Sequence, residues 1–283
     1  MKPAPFTYVR PDSLDEALAA LSDEDAKVLA GGQSLVPALN MRLVRPSVLV
    51  DVNRLPGLDR IERQDGSVRI GALARQRAVE ESALVREALP LVAEALPHVG
   101  HAVTRARGTV GGSVAHADPA AELPVCLVAV GGAVATATGR EISADEFFVT
   151  HFTTTLAPGD LVVETRWPVL GRWWGFAFEE LSQRRGDYGL AIAACALRVE
   201  DGRIGEARLG LGSVVDRPRL FRPELAGDVL SDGLAQEVAQ AIASELELYD
   251  HVHASREYQR HLTAVLGARA LRRAWRNAVE GAE

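Results

Sequence analysis

The run WWGFAFEELSQRRGDYGLAIAACALRVEDGRIGEARLGLGSV, which begins at about residue 172, constrains the fold more than any other part of the chain. It reads as three long strands. The last two are joined by Asp201-Gly202, a dipeptide suited to the positive backbone angles of a two-residue hairpin. Downstream the pattern turns helical: GLAQEVAQAIASEL and then ASREYQRHLTAVLGARALRRAWRNAVE place apolar residues every three or four positions. Upstream, short strands and helices alternate. The change of character at 170–174, in a chain of 283 residues, predicts two domains, 1–171 and 172–283.

Within the first domain, PDSLDEALAALS predicts a helix capped by Ser13, with Glu16 at the capping-box position. AKVLAGG predicts a buried strand running into a glycine pair, SLVPALNMRL a helix with Ser34 as its cap, and SVLVDVNRL a second strand. Beyond about residue 56, GSVRIGALAR alternates like a half-buried strand and VREALPLVAEALPHVG reads as a helix ending near Pro97. AELPVCLVAVGG reads as a buried helix, AVATATGREISADEFF as two short strands around a glycine turn, and GDLVVETRWPVL as a strand stopped by its proline. The expected class is α+β, with an α/β first domain ahead of a three-stranded antiparallel sheet and a helix bundle.

The chemistry hinted at is anion binding by backbone. Glycine-containing turns aim successive N–H groups into one concavity, and the missing Cβ lets a phosphate approach the main chain. One such pair, Gly31-Gly32, lies between a strand and a helix start; a second, Gly111-Gly112, sits in TVGGSVAHADPAAELP beside His116, Asp118 and Glu122. A net charge of −7 argues against general affinity for nucleic acid or an anionic membrane, so any anion is bound locally. No G-x-G-x-x-G follows the first strand, no P-loop motif is present, and THFTTTLAPGD lacks a G-x-S-x-G nucleophile. Cys126 and Cys195 each sit in an apolar segment and read as buried free thiols, too few for a zinc or iron–sulfur site. His251 and His253 have no supporting ligand pattern and read as surface residues. The start lacks a secretory h-region and no run reaches the ~18 apolar residues of a spanning helix, so a cytoplasmic location is expected.

Five segments in fixed order, AGGQSLVPALNMRL, RGTVGGSVAHADPAAELP, APGDLVVETRWP, RRGDYGLA and EYQRHLTAVLGARAL, resemble the FAD-binding medium subunit of bacterial molybdenum hydroxylases. That group includes the flavoprotein subunits of carbon monoxide, xanthine, nicotine and caffeine dehydrogenases. The resemblance spans essentially the whole chain. It implies a vanillyl-alcohol-oxidase-like (PCMH-type) FAD-binding fold of two α/β subdomains, about 1–56 and 57–171, followed by a carbon-monoxide-dehydrogenase-flavoprotein-like C-terminal domain.

By the same resemblance, Lys27, Val28, Leu29, Ala30, Gly31, Gly32, Gln33 and Ser34 wrap the pyrophosphate of FAD. Thr109, Val110, Gly111, Gly112 and Ser113 meet the diphosphate and ribityl chain from the other side. Glu122 matches a carboxylate that accepts hydrogen bonds from ligand hydroxyls, and Asp118 is near enough in sequence to share that role. Val99 and Val162 match apolar positions lining adenine or flavin, and Tyr188 an aromatic position near the isoalloxazine. One departure stands out. Several relatives carry a lysine just ahead of the RRGD motif, where this chain has Glu179 and Glu180, leaving Arg184 or Arg185 as the nearby source of positive charge.

The implied role is electron transfer, with no catalytic residue and no metal ligand in this chain. A large subunit holds the molybdenum cofactor, a small subunit holds two [2Fe–2S] clusters, and electrons reach the FAD here before leaving to an external acceptor. The implied assembly is a dimer of heterotrimers. The competing expectations are a stand-alone FAD oxidoreductase with its own substrate, and a scaffold that has lost its flavin.

Overall fold

A parallel three-stranded sheet opens the chain in the computed structural model, which describes residues 2–248 and 252–281. Its strands are β1 (Thr7–Val9), β2 (Ala26–Leu29) and β3 (Val48–Asp51), in the order β1-β3-β2, with helices α1 (Leu14–Ala20) and α2 (Leu35–Asn40) between them. The expected strand, helix, strand unit is present, and β1, three residues long, adds an edge with no pattern to announce it. Ser13 caps α1 by accepting from the Glu16 amide at 3.2 Å. The Glu16 carboxylate accepts from the Asp12 amide at 2.9 Å, one residue ahead of the partner used in a reciprocal capping box.

The second sheet is antiparallel throughout. It contains β4 (Ile61–Gln64), β5 (Ser67–Gly71), β6 (Ala133–Thr136) and β7 (Glu141–Ser143); a small hairpin of β8 (Phe148–Thr150) and β9 (Thr153–Thr154) intervenes before β10 (Val162–Pro168) closes the order β4-β5-β10-β6-β7. Between β5 and β6 run α3 (Gln76–Glu81), α4 (Ala83–Ala88), α5 (Pro90–Ala95), α6 (Ala102–Arg107), α7 (Val110–His116) and α8 (Glu122–Val130); α9 (Ala144–Phe147) follows β7. The single helix expected up to Pro97 is broken at Leu89, whose φ of −131° and ψ of 63° leave the helical region. Pro90 is the cause: it disfavours helical geometry in the residue before it and starts α5 at a position where no N–H is needed. The last turn, Leu96–His98, is a 3-10 helix. Every residue of α8 is buried, including its first, Glu122.

The C-terminal sheet has the three long antiparallel strands expected, β11 (Trp174–Ser182), β12 (Gly189–Glu200) and β13 (Arg203–Gly212), plus a short fourth, β14 (Arg219–Phe221). Asp201 and Gly202 have φ of 49° and 71°, the paired positive angles of a type I′ turn whose twist matches that of the strands it joins. Helices α10 (Asp232–Glu245) and α11 (Arg256–Glu280) cover one face, where Leu262, Leu266 and Leu271 share a core with Leu197, Leu209 and Leu211. Burying each such side chain favours the fold by about 1.5–3 kcal/mol.

The other face of this sheet meets α8. Phe178, Ile192 and Ala194 belong to the same buried cluster as Leu123 and Leu127, so one apolar core crosses from the helical layer into the sheet. Two polar contacts fix the alignment: Arg208 Nη1 donates to the Val130 carbonyl at 3.0 Å, and the Ser213 amide to the Pro119 carbonyl at 2.8 Å. Both cysteines are buried and free, and burial pushes both thiols up. Among the described residues no helix is long and apolar enough to cross a membrane. His251 lies outside the described residues.

Candidate cofactor cleft

The two glycine runs, far apart in sequence, touch. A Cβ placed on Gly31 would stand 2.5 Å from the Arg107 carbonyl oxygen and 2.8 Å from the Gly108 Cα, so only glycine permits this approach. One placed on Gly112 would lie 3.6 Å from the Ala30 Cβ. Beside this contact is an open cleft of about 370 Å³, lined by residues 29–33 together with Asp51, Asn53 and Arg107.

The two runs present different chemistry to it. In the first, Gly32 has a φ of 72°, and the amides of Gly31, Gly32, Gln33 and Ser34 have no hydrogen-bond partner among the described residues. Consecutive unspent donors beside a concavity are what an anionic group needs. The Ser34 hydroxyl makes no cap bond to α2, contrary to the capping expectation, because its own backbone is already helical, with φ −98° and ψ −44°. In the second run the four amides from Val110 to Ser113 are committed. Val110 N donates to Ala74 O, Gly111 N to Ala72 O, Gly112 N to the Thr109 hydroxyl and Ser113 N to Thr109 O, at 3.0 to 3.1 Å. This run is therefore not a cradle of free N–H groups. Gly111 serves close packing instead, since a Cβ there would stand 2.4 Å from that of Ala72. The side chains of Thr109, as a donor, and Ser113 remain for a ligand.

A second polar cluster lies where α8 meets β11. Burial pushes the Glu122 carboxyl up to about 7, with Asp118 adding to the rise. Glu180 is pushed up to about 8, first by burial and then by Glu122; its side chain is only 2% exposed, and its Oε2 has no hydrogen-bond partner among the described residues. His98 Nδ1 approaches that oxygen at 3.9 Å, but burial and Arg185 push the imidazole down and so favour its neutral form. Alternation along the strand sends Glu179 to the opposite face, where Arg273 binds it at 2.7 Å and Arg269 at 3.4 Å. Tyr188 is 65% exposed as a whole residue; its hydroxyl end is sheltered enough, and near enough to Asp118 and Glu122, to push the phenol up.

Comparison with known proteins identifies the frame that carries these features. Residues 4–170 match the family model described as the FAD binding domain in molybdopterin dehydrogenase, and residues 176–274 that of the CO dehydrogenase flavoprotein C-terminal domain. The 6-hydroxypseudooxynicotine dehydrogenase complex subunit alpha of Paenarthrobacter nicotinovorans is 41% identical over 97% of this chain and 96% of its own length. The chain belongs to the FAD-binding medium subunits of molybdenum hydroxylases. The nicotine 6-hydroxylase medium subunit of the same organism is 37% identical, over 96% of this chain and 98% of its own. Among solved structures, a chain of quinoline 2-oxidoreductase from Pseudomonas putida 86 superposes with a TM-score of 0.93 at 34% identity, covering 98% of this chain and 99% of that one.

For this medium subunit FAD is the cofactor, and its relatives work in complexes with molybdenum and iron–sulfur centres. The residues of the cleft fit a dinucleotide: unspent amides for a diphosphate, and room beside them. Of the positions expected to contact it, Leu29, Ala30, Gly31, Gly32 and Gln33 line the cleft and Ser34 follows directly. Lys27 is exposed and Val28 half-buried on β2; Val110 is fully buried, and Val99 and Val162 lie in the main core at 8% and 3% exposure. Thr109 is buried and Ser113 half-buried on α7, while Asp118, Glu122 and Tyr188 form the second cluster. His116 packs on Phe152 with ring centres 5.0 Å apart, and Arg184 and Arg185 are exposed. The sequence reading missed Asn53, Arg75 and Arg107 at the cleft, and His98 near Glu180. Asn53 and Arg75 belong to no motif, whereas Arg107-Gly108, immediately ahead of the second glycine run, carried a readable signal.

Proposed function

We propose that this chain is the electron-transfer subunit of a heteromeric molybdenum hydroxylase, receiving electrons from [2Fe–2S] clusters of a small subunit and passing them to an external acceptor. FAD supplies the redox chemistry, and the protein binds it, orients it and sets its electrostatic surroundings. The observation that carries the reading is the cleft with four adjacent unspent amides. We assign residues 1–171 to FAD binding, with 172–283 packed against them, in a cytoplasmic dimer of heterotrimers. The relatives named above act, by their names, on nitrogen heterocycles, which favours a substrate of that class held by the large subunit.

Co-purification with the products of neighbouring genes tests this, followed by molybdenum, iron and flavin analysis. A complex containing all three, whose flavin absorbance bleaches when the substrate is added without oxygen, is the expected result. A flavin-only monomer that oxidises a small molecule unaided would overturn it in favour of a stand-alone oxidoreductase.

A further inference from the structure

The amides of the first glycine run supply donors but no formal charge, while a diphosphate brings two negative charges. Two guanidinium groups are drawn together at the cleft. Arg75, half-buried, donates from Nη1 to the Arg107 carbonyl at 2.6 Å and from Nη2 to Asn53 Oδ1 at 2.7 Å. Its guanidinium is pushed down first by burial and then by the charge of Arg107. Asn53 completes the link by donating from Nδ2 to the Ala30 carbonyl at 2.9 Å, and Asp51 Oδ1 accepts from the same Nδ2 at 2.6 Å. The chain of contacts Ala30, Asn53, Arg75, Arg107 therefore ties one glycine run to the other. The Arg107 carbonyl it holds is the atom against which Gly31 closes.

Arg107 itself lines the cleft, is exposed, and makes no ion pair among the described residues. Its neighbour Arg75 is satisfied by two neutral oxygens, so positive charge at this point is left without a carboxylate in direct contact. Keeping two like charges together costs free energy; Asp51 and Asp59, acting on Arg75 from a distance, offset part of it, and an anion seated in the cleft offsets more.

We propose that Arg107 is a binding residue for the diphosphate, the counter-charge opposite the amides of 31–34, and that Asn53 and Arg75 are positioning residues that hold Arg107 and the first glycine run in register. This rests on the cleft being the FAD site. Arg107 acts by direct charge, whereas Asn53 and Arg75 act through the backbone, and the two roles separate experimentally.

The test uses the full chain freed of flavin, with FAD binding followed by flavin fluorescence at low and high salt and ADP as a competitor. For Arg107→Gln the dissociation constants of FAD and ADP both rise by about tenfold, the size of one lost charge-assisted contact. The salt dependence of binding flattens, because a screened charge has been removed. Arg107→Lys restores most of the affinity and the salt dependence, and the flavin-free melting temperature is unchanged in both. Asn53→Ala weakens FAD as well but keeps the wild-type salt dependence. An Arg107→Gln chain with wild-type affinity and salt dependence overturns the proposal while leaving the flavin reading intact. A wild-type chain that binds neither FAD nor ADP overturns both.

Discussion

Gly111→Ala probes whether the second glycine run works by packing or by presenting donors. The added methyl would stand 2.4 Å from Ala72 Cβ, 2.5 Å from its Cα and 2.8 Å from its carbonyl oxygen. Two of these atoms are backbone, so α7 must withdraw from residue 72 by about an ångström to reach ordinary contact. Overpacking of this kind costs about 1–3 kcal/mol, and the rigid neighbours place this case near the top of that range. Withdrawal also stretches the bonds from Gly111 N to Ala72 O and from Val110 N to Ala74 O, each worth about 1 kcal/mol. A loss of roughly 3–4 kcal/mol follows, or about 10 °C in melting temperature, measured by calorimetry on flavin-free protein. Gly171→Ala, where nothing lies within 4 Å of the new methyl, is the control and should stay within about 0.5 kcal/mol. If Gly111→Ala melts like the wild type, the close packing against Ala72 is wrong and the run is free to act as a cradle. An aspartate at 111 is a poorer probe, because its bulk disrupts the contact before its charge meets any phosphate.

Flavin-free stability should fall as pH rises from about 4.5 through 8. Glu122 and Glu180 have folded-state values raised from 4.5 to about 7 and about 8, so the fold binds more protons than the unfolded chain across that window. Their stabilising contribution is complete below 4.5 and is lost above 8. Urea unfolding along a pH series should show this, and Glu180→Gln should flatten the upper part of the slope; an unchanged slope would remove Glu180 from the account. Trp167 is fully buried and donates to the Thr165 hydroxyl at 2.8 Å, so Trp167→Ala should cost about 3–5 kcal/mol in the same assay. Gly202→Val forces a β-branched residue to a φ of 71° and should cost about 1–2 kcal/mol, with a loss under 0.3 kcal/mol arguing against the type I′ turn.

What the sequence made legible divides along a physical line. Asp201-Gly202 and the flanking alternation are local signals, and the hairpin they describe is there. The strand entering Gly31-Gly32 is equally local, and the amides that follow it have no hydrogen-bond partner among the described residues. The fate of the second run depended on a partner about forty residues away. Once Arg75 pairs with Thr109 across an isolated bridge, the carbonyls of Ala72 and Ala74 consume the amides at the start of α7. No reading of TVGGS alone contains that register. The strong apolar periodicity around Pro90 suggested one helix, but the proline has no N–H to donate and pushes Leu89 out of the helical region, and that decided the matter.

The acidic pair Glu179-Glu180 shows the same division within two residues. In sequence it is a doubled negative charge just ahead of the RRGD motif. In the fold the strand turns one carboxylate toward Arg273 and Arg269 on α11, where it is neutralised, and the other into a dry seam beside Glu122. The first is structural, joining α11 to the sheet. The second has no cation in contact, so at pH below about 8 the low-dielectric surroundings keep it protonated, and below about 7, where Glu122 is protonated as well, the seam is uncharged. Across a pH of about 8 the seam therefore differs by the one charge of Glu180. The pH series on Glu180→Gln reads that difference directly, since a glutamine mimics the protonated acid and leaves the seam as it is below the transition.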